Sequence, residues 1–315
     1  MPSPKKIGVV MATYNGEKFI KEQVESILGQ TIKPNLFVIV DDCSNDGTYE
    51  ILQQYASKNS FMKVYRNEQN LGCVKNFHKA ISLCDTDYIA FSDQDDKWLP
   101  NKIEVCLHTL QENGRTSCKV CFHDVLLMYE DGSPLGTTYR TLAPVEYPLT
   151  EQSMWNYLLK PASPVLGMMM FFESGLLKQY VNELPFISHD WFVMAMYGMF
   201  HSPVFIETPL SYYRLHSQQV SGAMDCLLEN TIYERKQRKP IMKRVTMELK
   251  RFVNRFNKCR ERERVHTSLI YCAAFEKLEQ IACEAICNDA YDNEKKARFI
   301  HLFRNKVIEI KNTYT

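Results

Sequence analysis

Apolar and polar positions fall in blocks along the first hundred residues, and the blocks alternate between two periods. Ile7 to Ala12 is a near-continuous apolar run, the pattern of a strand buried on both faces of a parallel sheet. Ile20, Val24, Ile27 and Leu28 then recur at helical spacing, with Gly29 at the stop. Leu36 to Val40 predicts a second strand, and it ends abruptly in Asp41-Asp42-Cys43-Ser44-Asn45-Asp46-Gly47, a loop-and-cap composition. Ile51, Leu52 and Tyr55 predict a second helix, and Met62 to Tyr65 a third strand. Val74, Phe77, Ile81 and Cys84 predict a third helix, and Tyr88 to Phe91 a fourth strand. Pro100 is placed to open a helix carrying Ile103, Leu107 and Leu110. This β-α-β-α series predicts an α/β core with a mostly parallel central sheet and helices on both faces.

Beyond residue 118 the texture changes twice. Residues 118–222 mix strand-like runs, Lys119 to Tyr129 and Gly167 to Phe171 among them, with turns such as Asp131-Gly132, and predict a mixed sheet. The methionines of the Gly167 run read as core filling. After Gly222 long polar helical stretches follow, so the expected division is a catalytic domain at 1–222 and a helical, partly basic region at 223–315. No apolar run approaches the roughly 18 residues of a membrane-spanning helix. Met1 to Lys6 leads straight into the first strand, so no secretory signal is expected.

Composition adds little until it is read locally. With 45% hydrophobic and 24% charged residues the chain has an ordinary globular profile. Its net charge of +1 argues against a chain-wide nucleic-acid binder. That balance conceals a division, because residues 1–232 hold 18 basic against 26 acidic residues while 233–266 hold 13 basic against 4 acidic. The eleven cysteines are an odd count in a large chain and predict reduced thiols in a cytoplasmic setting. Cys118 and Cys121 form a C-x-x-C, but on a strand such residues point to opposite faces, a poor geometry for sharing a metal.

Candidate chemistry gathers where ligands bind in such sheets, beyond the carboxyl ends of the strands. Thr13-Tyr14-Asn15 follows the first strand, Asp41-Asp42 the second, and Asp93-Gln94-Asp95-Asp96 the fourth, which places five carboxylates at one crevice. Like charges so crowded call for a cation. A hard divalent ion such as Mg²⁺ or Mn²⁺ takes one or two carboxylates and completes its shell with phosphate and water. A lone D-x-D is by itself no more than a solvated turn; here an apolar strand before it and Trp98-Leu99-Pro100 after it anchor the loop. No G-x-x-x-x-G-K-[ST] loop is present to hold phosphate instead.

Four runs in order, Val9 to Glu17, Ile39 to Thr48, Asn70-Leu71-Gly72 and Phe91 to Asp96, closely resemble the inverting family 2 glycosyltransferases of GT-A fold. The wording of Ser92 to Lys102, with His189-Asp190-Trp191 and Tyr213-Arg214-Leu215-His216 downstream, is most similar to rhamnosyltransferase-type enzymes that build surface polysaccharides. The resemblance covers about residues 5–222. It implies a GT-A fold, with a C-terminal helical extension beyond it.

The resemblance also implies roles. Tyr14 and the Asp41-Asp42 pair would hold the nucleotide base and ribose, with Thr13, Asn15, Glu17, Asn70 and Gln94 around them. Which of Asp41 and Asp42 faces the base is left open, and the structural alternative is that this loop only caps the next helix, the expected role of Asp46. Asp95 would be the metal ligand, with Asp93 nearer the ribose or donor sugar and His216 a further ligand. Asp190 matches the catalytic base and is equally placed to cap the helix that starts at Trp191. Arg214 is suited to phosphate by its planar fork, and Lys75 and Asn76 are candidates to reach the donor, or to open a helix facing solvent. Ala12 stands where the family often has proline and Cys43 where glycine is common, so the loop after the Asp pair must accept a side chain.

The expected activity is metal-dependent, inverting transfer of a sugar from a UDP- or dTDP-linked donor to a hydroxyl of a glycan or lipid-linked acceptor. Two other classes remain in view. A sugar-phosphate nucleotidylyltransferase would carry a glycine-rich basic loop after the first strand, and Ala12 to Phe19 has one glycine and one lysine. A non-catalytic nucleotide-sugar-binding protein would lack Asp95 or Asp190. The basic segment 233–266 reads either as a solvated helical face or as a dock for anionic lipid at the inner face of the cell membrane. Leu269 to Ile286 is amphipathic enough to pack a helix or a homodimer.

Overall fold

The computed structural model describes residues 5–112, 119–142, 165–175, 177, 189–190, 193 and 203–216. The core is a seven-stranded sheet of order β10-β6-β9-β4-β1-β2-β3. Its strands are β1 (Ile7–Thr13), β2 (Leu36–Asp41), β3 (Met62–Arg66), β4 (Tyr88–Ser92), β6 (Val120–His123), β9 (Met170–Glu173) and β10 (Val204–Ile206). β1 pairs in parallel with β2 and β4, β2 with β3, and β10 with β6, while β9 runs antiparallel between β4 and β6. The helices α1 (Ile20–Leu28), α2 (Thr48–Ala56), α3 (Cys73–Leu83) and α4 (Lys102–Glu112) connect the strands as the periodicity predicts.

Strand side chains alternate between the two faces, and both faces are covered. Ile7, Val9 and Met11 of β1, with Phe37 and Ile39 of β2, join Val24 and Ile27 of α1, Leu52 of α2 and Ile103 of α4 in one buried cluster. The opposite face receives α3, whose Phe77 meets Phe91 edge to face with ring centres 5.7 Å apart. Burying β1 on both sides leaves its carboxyl end as the place where the chain can expose polar groups.

Two readings of the middle region change. The run from Lys119 to Tyr129 is not one strand. It breaks at Asp124 and Val125, and its second half, β7 (Leu126–Met128), belongs to a four-stranded sheet of order β5-β11-β7-β8. The partners there are β5 (Lys97–Trp98), β8 (Pro134–Thr138) and β11 (Ser211–Arg214). Asp124 makes the break: its carboxylate accepts from the Val125 and Arg140 amides at 2.8 and 3.1 Å, so the chain turns from one sheet into the other. Likewise Gly167 to Met169 form a 3₁₀ turn, and the strand begins only at Met170. Met168, Met169 and Met170 are all buried, as core filling requires. No helix among the described residues is long and apolar enough to cross a membrane. Cys118, Trp191, the basic segment 233–266 and Leu269 to Ile286 lie outside the described residues.

Candidate active site

The loops after β1 and β2 are zipped together by short polar side chains. The Asn15 amide donates to Ser44 Oγ at 2.9 Å, and Asn15 Oδ1 accepts from the Asn45 amide at 2.8 Å. The Gly16 amide donates to Thr48 Oγ1 at 2.8 Å, and the Gly47 amide to Glu17 at 2.9 Å. Asp46 accepts from the Thr48 amide at 3.1 Å, but the N-cap of α2 is Gly47, one residue later than the cap expected at Asp46. The zipper forces two non-glycine residues to positive φ, Asn15 at 48° and Cys43 at 64°. Asparagine tolerates that region, whereas a cysteine there carries strain of about 1–2 kcal/mol.

The aspartate pair is committed to this scaffold. Asp41 is fully buried and accepts from Thr13 Oγ1 at 3.1 Å and the Ser44 amide at 3.0 Å, with Arg66 at 3.6 Å. Asp42 accepts from the Leu71 and Gly72 amides, both at 2.8 Å, and from Asn67 at 2.7 Å. It thereby fixes the Asn70-Leu71-Gly72 turn, where Gly72 holds a φ of 83° that an L side chain rarely adopts. Asn70 is exposed and accepts locally from the Gly72 amide. Asn76 differs from its expected role. It is buried, donates to the Val40 carbonyl at 2.7 Å and accepts from Asn67 at 3.0 Å, so it braces the end of β2 instead of reaching into the crevice. Lys75 is exposed on the first turn of α3.

Gln94 is likewise a brace. Its amide pairs with both backbone groups of Tyr14, accepting from N–H at 2.9 Å and donating to C=O at 3.0 Å. The Tyr14 ring stays 44% exposed, held by its backbone and open to a planar ligand.

The carboxylates after β4 sort by depth. Asp96 is completely buried, accepts from the Arg214 amide at 3.1 Å, and its Oδ2 has no partner among the described residues. Burial and its two aspartate neighbours push its pKa well above the carboxylate range. It is therefore not one of the crevice's open charges. Asp93 and Asp95 keep part of their surface open. Desolvation, reinforced by Asp95 and Asp190, raises Asp93 to about 7. Asp93 thus lies within reach of the charges of Asp95 and Asp190.

Asp95 Oδ2 meets His216 Nε2 at 2.9 Å, and the His216 ring packs on Phe19 with centres 4.8 Å apart. Among the described residues no three His, Cys, Asp or Glu side chains could enclose an ion alone. One carboxylate and one imidazole beside the open Asp93 do fit an ion that keeps positions for phosphate and water. The 2.9 Å meeting of Asp95 and His216, with Asp93 close enough for its carboxyl to be raised by Asp95, is the observation that makes a cation fit here.

His189 and Asp190 stand in helical conformation across from α3. The His189 ring stacks on Phe77 with centres 3.6 Å apart and meets Phe91 edge-on at 4.9 Å. Burial holds it neutral, at about 4. A Cβ on Gly167 would lie 2.7 Å from His189 Nε2 and 3.5 Å from Asp190 Cβ, so the absence of a side chain at Gly167 lets this pair seat.

Two structural groups escaped the sequence reading. Lys102, the last residue of the Ser92 to Lys102 wording, is buried, donates to the Met168 carbonyl at 2.6 Å and lies 3.6 Å over the Trp98 ring. Burial lowers it to about 7. Asn67 joins Asp42, Asn76 and Lys79, the last at 2.7 Å. Nothing in composition marks a buried lysine, because its pattern position equals that of a solvated one.

A family model, glycosyl transferase family 2, matches residues 8–175, the span from β1 to the end of β9. The chain belongs to that family. As a family 2 member it is 38% identical over 129 residues to a Bacillus subtilis (strain 168) protein named as a teichuronic acid biosynthesis glycosyltransferase, which covers 41% of this chain and 50% of that one. It is 27% identical over 225 residues to the dTDP-rhamnosyl transferase RfbG of Shigella flexneri, 68% of this chain and 74% of that one. The chain spans about half the length of the first of these relatives. Its fold is that of S. aureus TarS in complex with UDP-GlcNAc, at TM-score 0.56 and 17% identity, covering 97% of this chain and 89% of that one. It is also that of a mannosyltransferase from Pyrobaculum calidifontis in complex with GDP-Man and Mn²⁺, at TM-score 0.52 and 14% identity, covering 99% and 88%. The α/β sheet expected from the resemblance is thus the GT-A fold of family 2.

Proposed function

We propose that this chain is an inverting, metal-dependent glycosyltransferase that moves a sugar from a UDP- or dTDP-linked donor to a hydroxyl of a glycan or lipid-linked acceptor in cell-surface polysaccharide assembly. The observation that carries the reading is the 2.9 Å meeting of Asp95 and His216, with Asp93 raised by the charges of Asp95 and Asp190, together with the open Tyr14 ring. The names of the curated relatives support the polysaccharide setting.

Asp95 and His216 would hold a Mn²⁺ or Mg²⁺ ion, which supplies Lewis-acid stabilisation of charge on the departing diphosphate. The remaining work belongs to the chain. Tyr14 offers a flat face to the base, and the zippered loops keep it in place. Asp93 faces the donor sugar and ribose. Asp190 takes the proton from the acceptor hydroxyl while that oxygen bonds to the anomeric carbon and the bond to the diphosphate breaks on the opposite side. Transfer in one displacement inverts the anomeric centre. His189 beside the base is neutral at pH 7, so it adds no positive charge that would weaken Asp190 as a base.

A nucleotidylyltransferase reading is disfavoured because the loop from Ala12 to Phe19 has one glycine and one lysine, where a triphosphate needs a glycine-rich basic loop. The basic segment 233–266 is proposed to bring the enzyme to an anionic membrane surface on the cytoplasmic side, where a lipid-linked acceptor resides, and Leu269 to Ile286 to support a homodimer. Sedimentation with vesicles containing phosphatidylglycerol should then fall as salt rises, and salt-independent sedimentation would reject the docking.

Thermal unfolding against a panel of nucleotide sugars, with Mn²⁺ or with EDTA, tests the function. A donor at 100 times its dissociation constant stabilises by about 2.7 kcal/mol. A UDP- or dTDP-sugar should raise the midpoint with Mn²⁺ and much less with EDTA. No shift with any nucleotide sugar would overturn the reading, and a shift without turnover on any acceptor would favour a binding protein.

A further inference from the structure

Arg214 is nearly fully buried, and its donors all face protein. Its Nε donates to the Asp95 carbonyl at 2.8 Å and its Nη1 to the Glu130 carbonyl at 2.9 Å. Its Nη2 pairs with Glu22, which is also held by Lys97 at 2.8 Å. Its own amide donates to Asp96 Oδ1 at 3.1 Å. The guanidinium lies 4.8 Å over the Phe19 ring, the same ring against which His216 packs.

We propose that Arg214 is a positioning residue that sets Asp95 and His216 at the spacing one divalent cation needs when it binds with a nucleoside diphosphate. The cation and the diphosphate belong to the function proposed above, and the inference rests on it. Asp95 is gripped twice from the same strand end: Arg214 holds its main-chain carbonyl, and His216, two residues on, meets its carboxylate. β11 itself is registered on β5, the strand that directly follows the carboxylate loop, with Ser211 opposite Trp98 and Tyr212 opposite Lys97. The loop is therefore clamped at its base by strand pairing and at its tip by Arg214. The arginine charge is matched by Glu22, so the guanidinium does not act as an exposed anion attractor. Only a planar fork can reach carbonyls on two loops and a carboxylate on α1 together; an ammonium group has one centre.

Mn²⁺ titration of the full chain with saturating UDP, followed by electron paramagnetic resonance, tests this, with UDP titration in EDTA alongside. Partners that orient a metal ligand are worth about 10–100-fold in metal affinity. Arg214→Lys should weaken Mn²⁺ by that factor and leave metal-free UDP affinity within about two-fold. An equal loss of metal-free UDP affinity would make Arg214 a phosphate ligand and overturn the proposal, and so would unchanged Mn²⁺ affinity. Should Arg214→Lys fail to fold, Glu22→Gln carries the test. It releases one fork arm and should weaken Mn²⁺ about ten-fold with UDP unaffected, at the low end of such effects; unchanged Mn²⁺ affinity in that variant overturns the proposal. Asp95→Asn separates the two levels. If it binds Mn²⁺ as the unaltered chain does, the metal site itself is misplaced and the functional reading fails, whatever Arg214 does.

Discussion

At the ends of β1 and β2 the crevice is built of polar groups that satisfy one another. Asp41, Asp42, Asn67, Asn76 and Gln94 each accept or donate at 2.7–3.1 Å to the loops beside them. Across the crevice, where β4, β11 and the His189 turn meet, the buried polar groups are displaced from their ordinary states. Asp96 Oδ2 and both ring nitrogens of His189 have no hydrogen-bond partner among the described residues. Asp93 is raised to about 7 and Lys102 lowered to about 7. The first wall resembles a mould, in which a hydrogen bond lost is stability lost. The second stores unfavourable electrostatics where charge must be handled, the pattern expected where chemistry is done.

That contrast can be broken most sharply at Asp190. Asp190→Asn should lower donor turnover by about 10²–10⁴-fold, the value of a positioned base, and leave UDP binding by calorimetry nearly intact. A matching loss of binding would move Asp190 into the mould. Asp42→Ala should do the reverse. It strands the Leu71 and Gly72 amides and Asn67, at a cost of about 2–3 kcal/mol in urea unfolding. Stability equal to the unaltered chain would show that the first wall is not held by this carboxylate.

Lys102 sharpens the comparison through pH. Its folded pKa lies below its unfolded value, so the unfolded chain binds more protons between about 7 and 10.5, and folding stability rises with pH across that window. The penalty is fully present below pH 7. Lys102→Met removes the titration, so the unaltered chain should gain on the order of 2 kcal/mol relative to the variant between pH 7 and 9. Parallel pH profiles would refute the burial account. Smallest is Gln94→Ala, which frees the Tyr14 backbone. We expect UDP affinity to fall two- to five-fold, on the order of one lost hydrogen bond, with Mn²⁺ affinity in the ternary complex unchanged.

How much of this was legible in the sequence differs by element. β1, β2 and β4 and helices α1 to α4 follow from period alone, because strands buried on two faces are apolar throughout and helices buried on one face repeat. The Lys119 to Tyr129 run failed because a strand that leaves one sheet for another keeps the same alternation. Only the carboxylate of Asp124, bonded to the Val125 and Arg140 amides, shows the break. Asn76 was placed toward the crevice because it follows a crevice motif, yet on α3 it lies on the face that packs under β2.

By itself the sequence determined the alternating sheet, the strand ends that carry Tyr14, Asp93, Asp95 and His216, the His189-Asp190 motif, and the family they spell. Those are properties of local spacing, and strand ends sit where apolar runs stop. Only the tertiary structure decided which polar groups face the crevice and which hold it up. Asp41, Asp42, Asn76, Asp96 and Arg214 have the same side chains in either role. The difference lies in which backbone amides and carbonyls the fold brings within about 3 Å of them, the reach of a hydrogen bond.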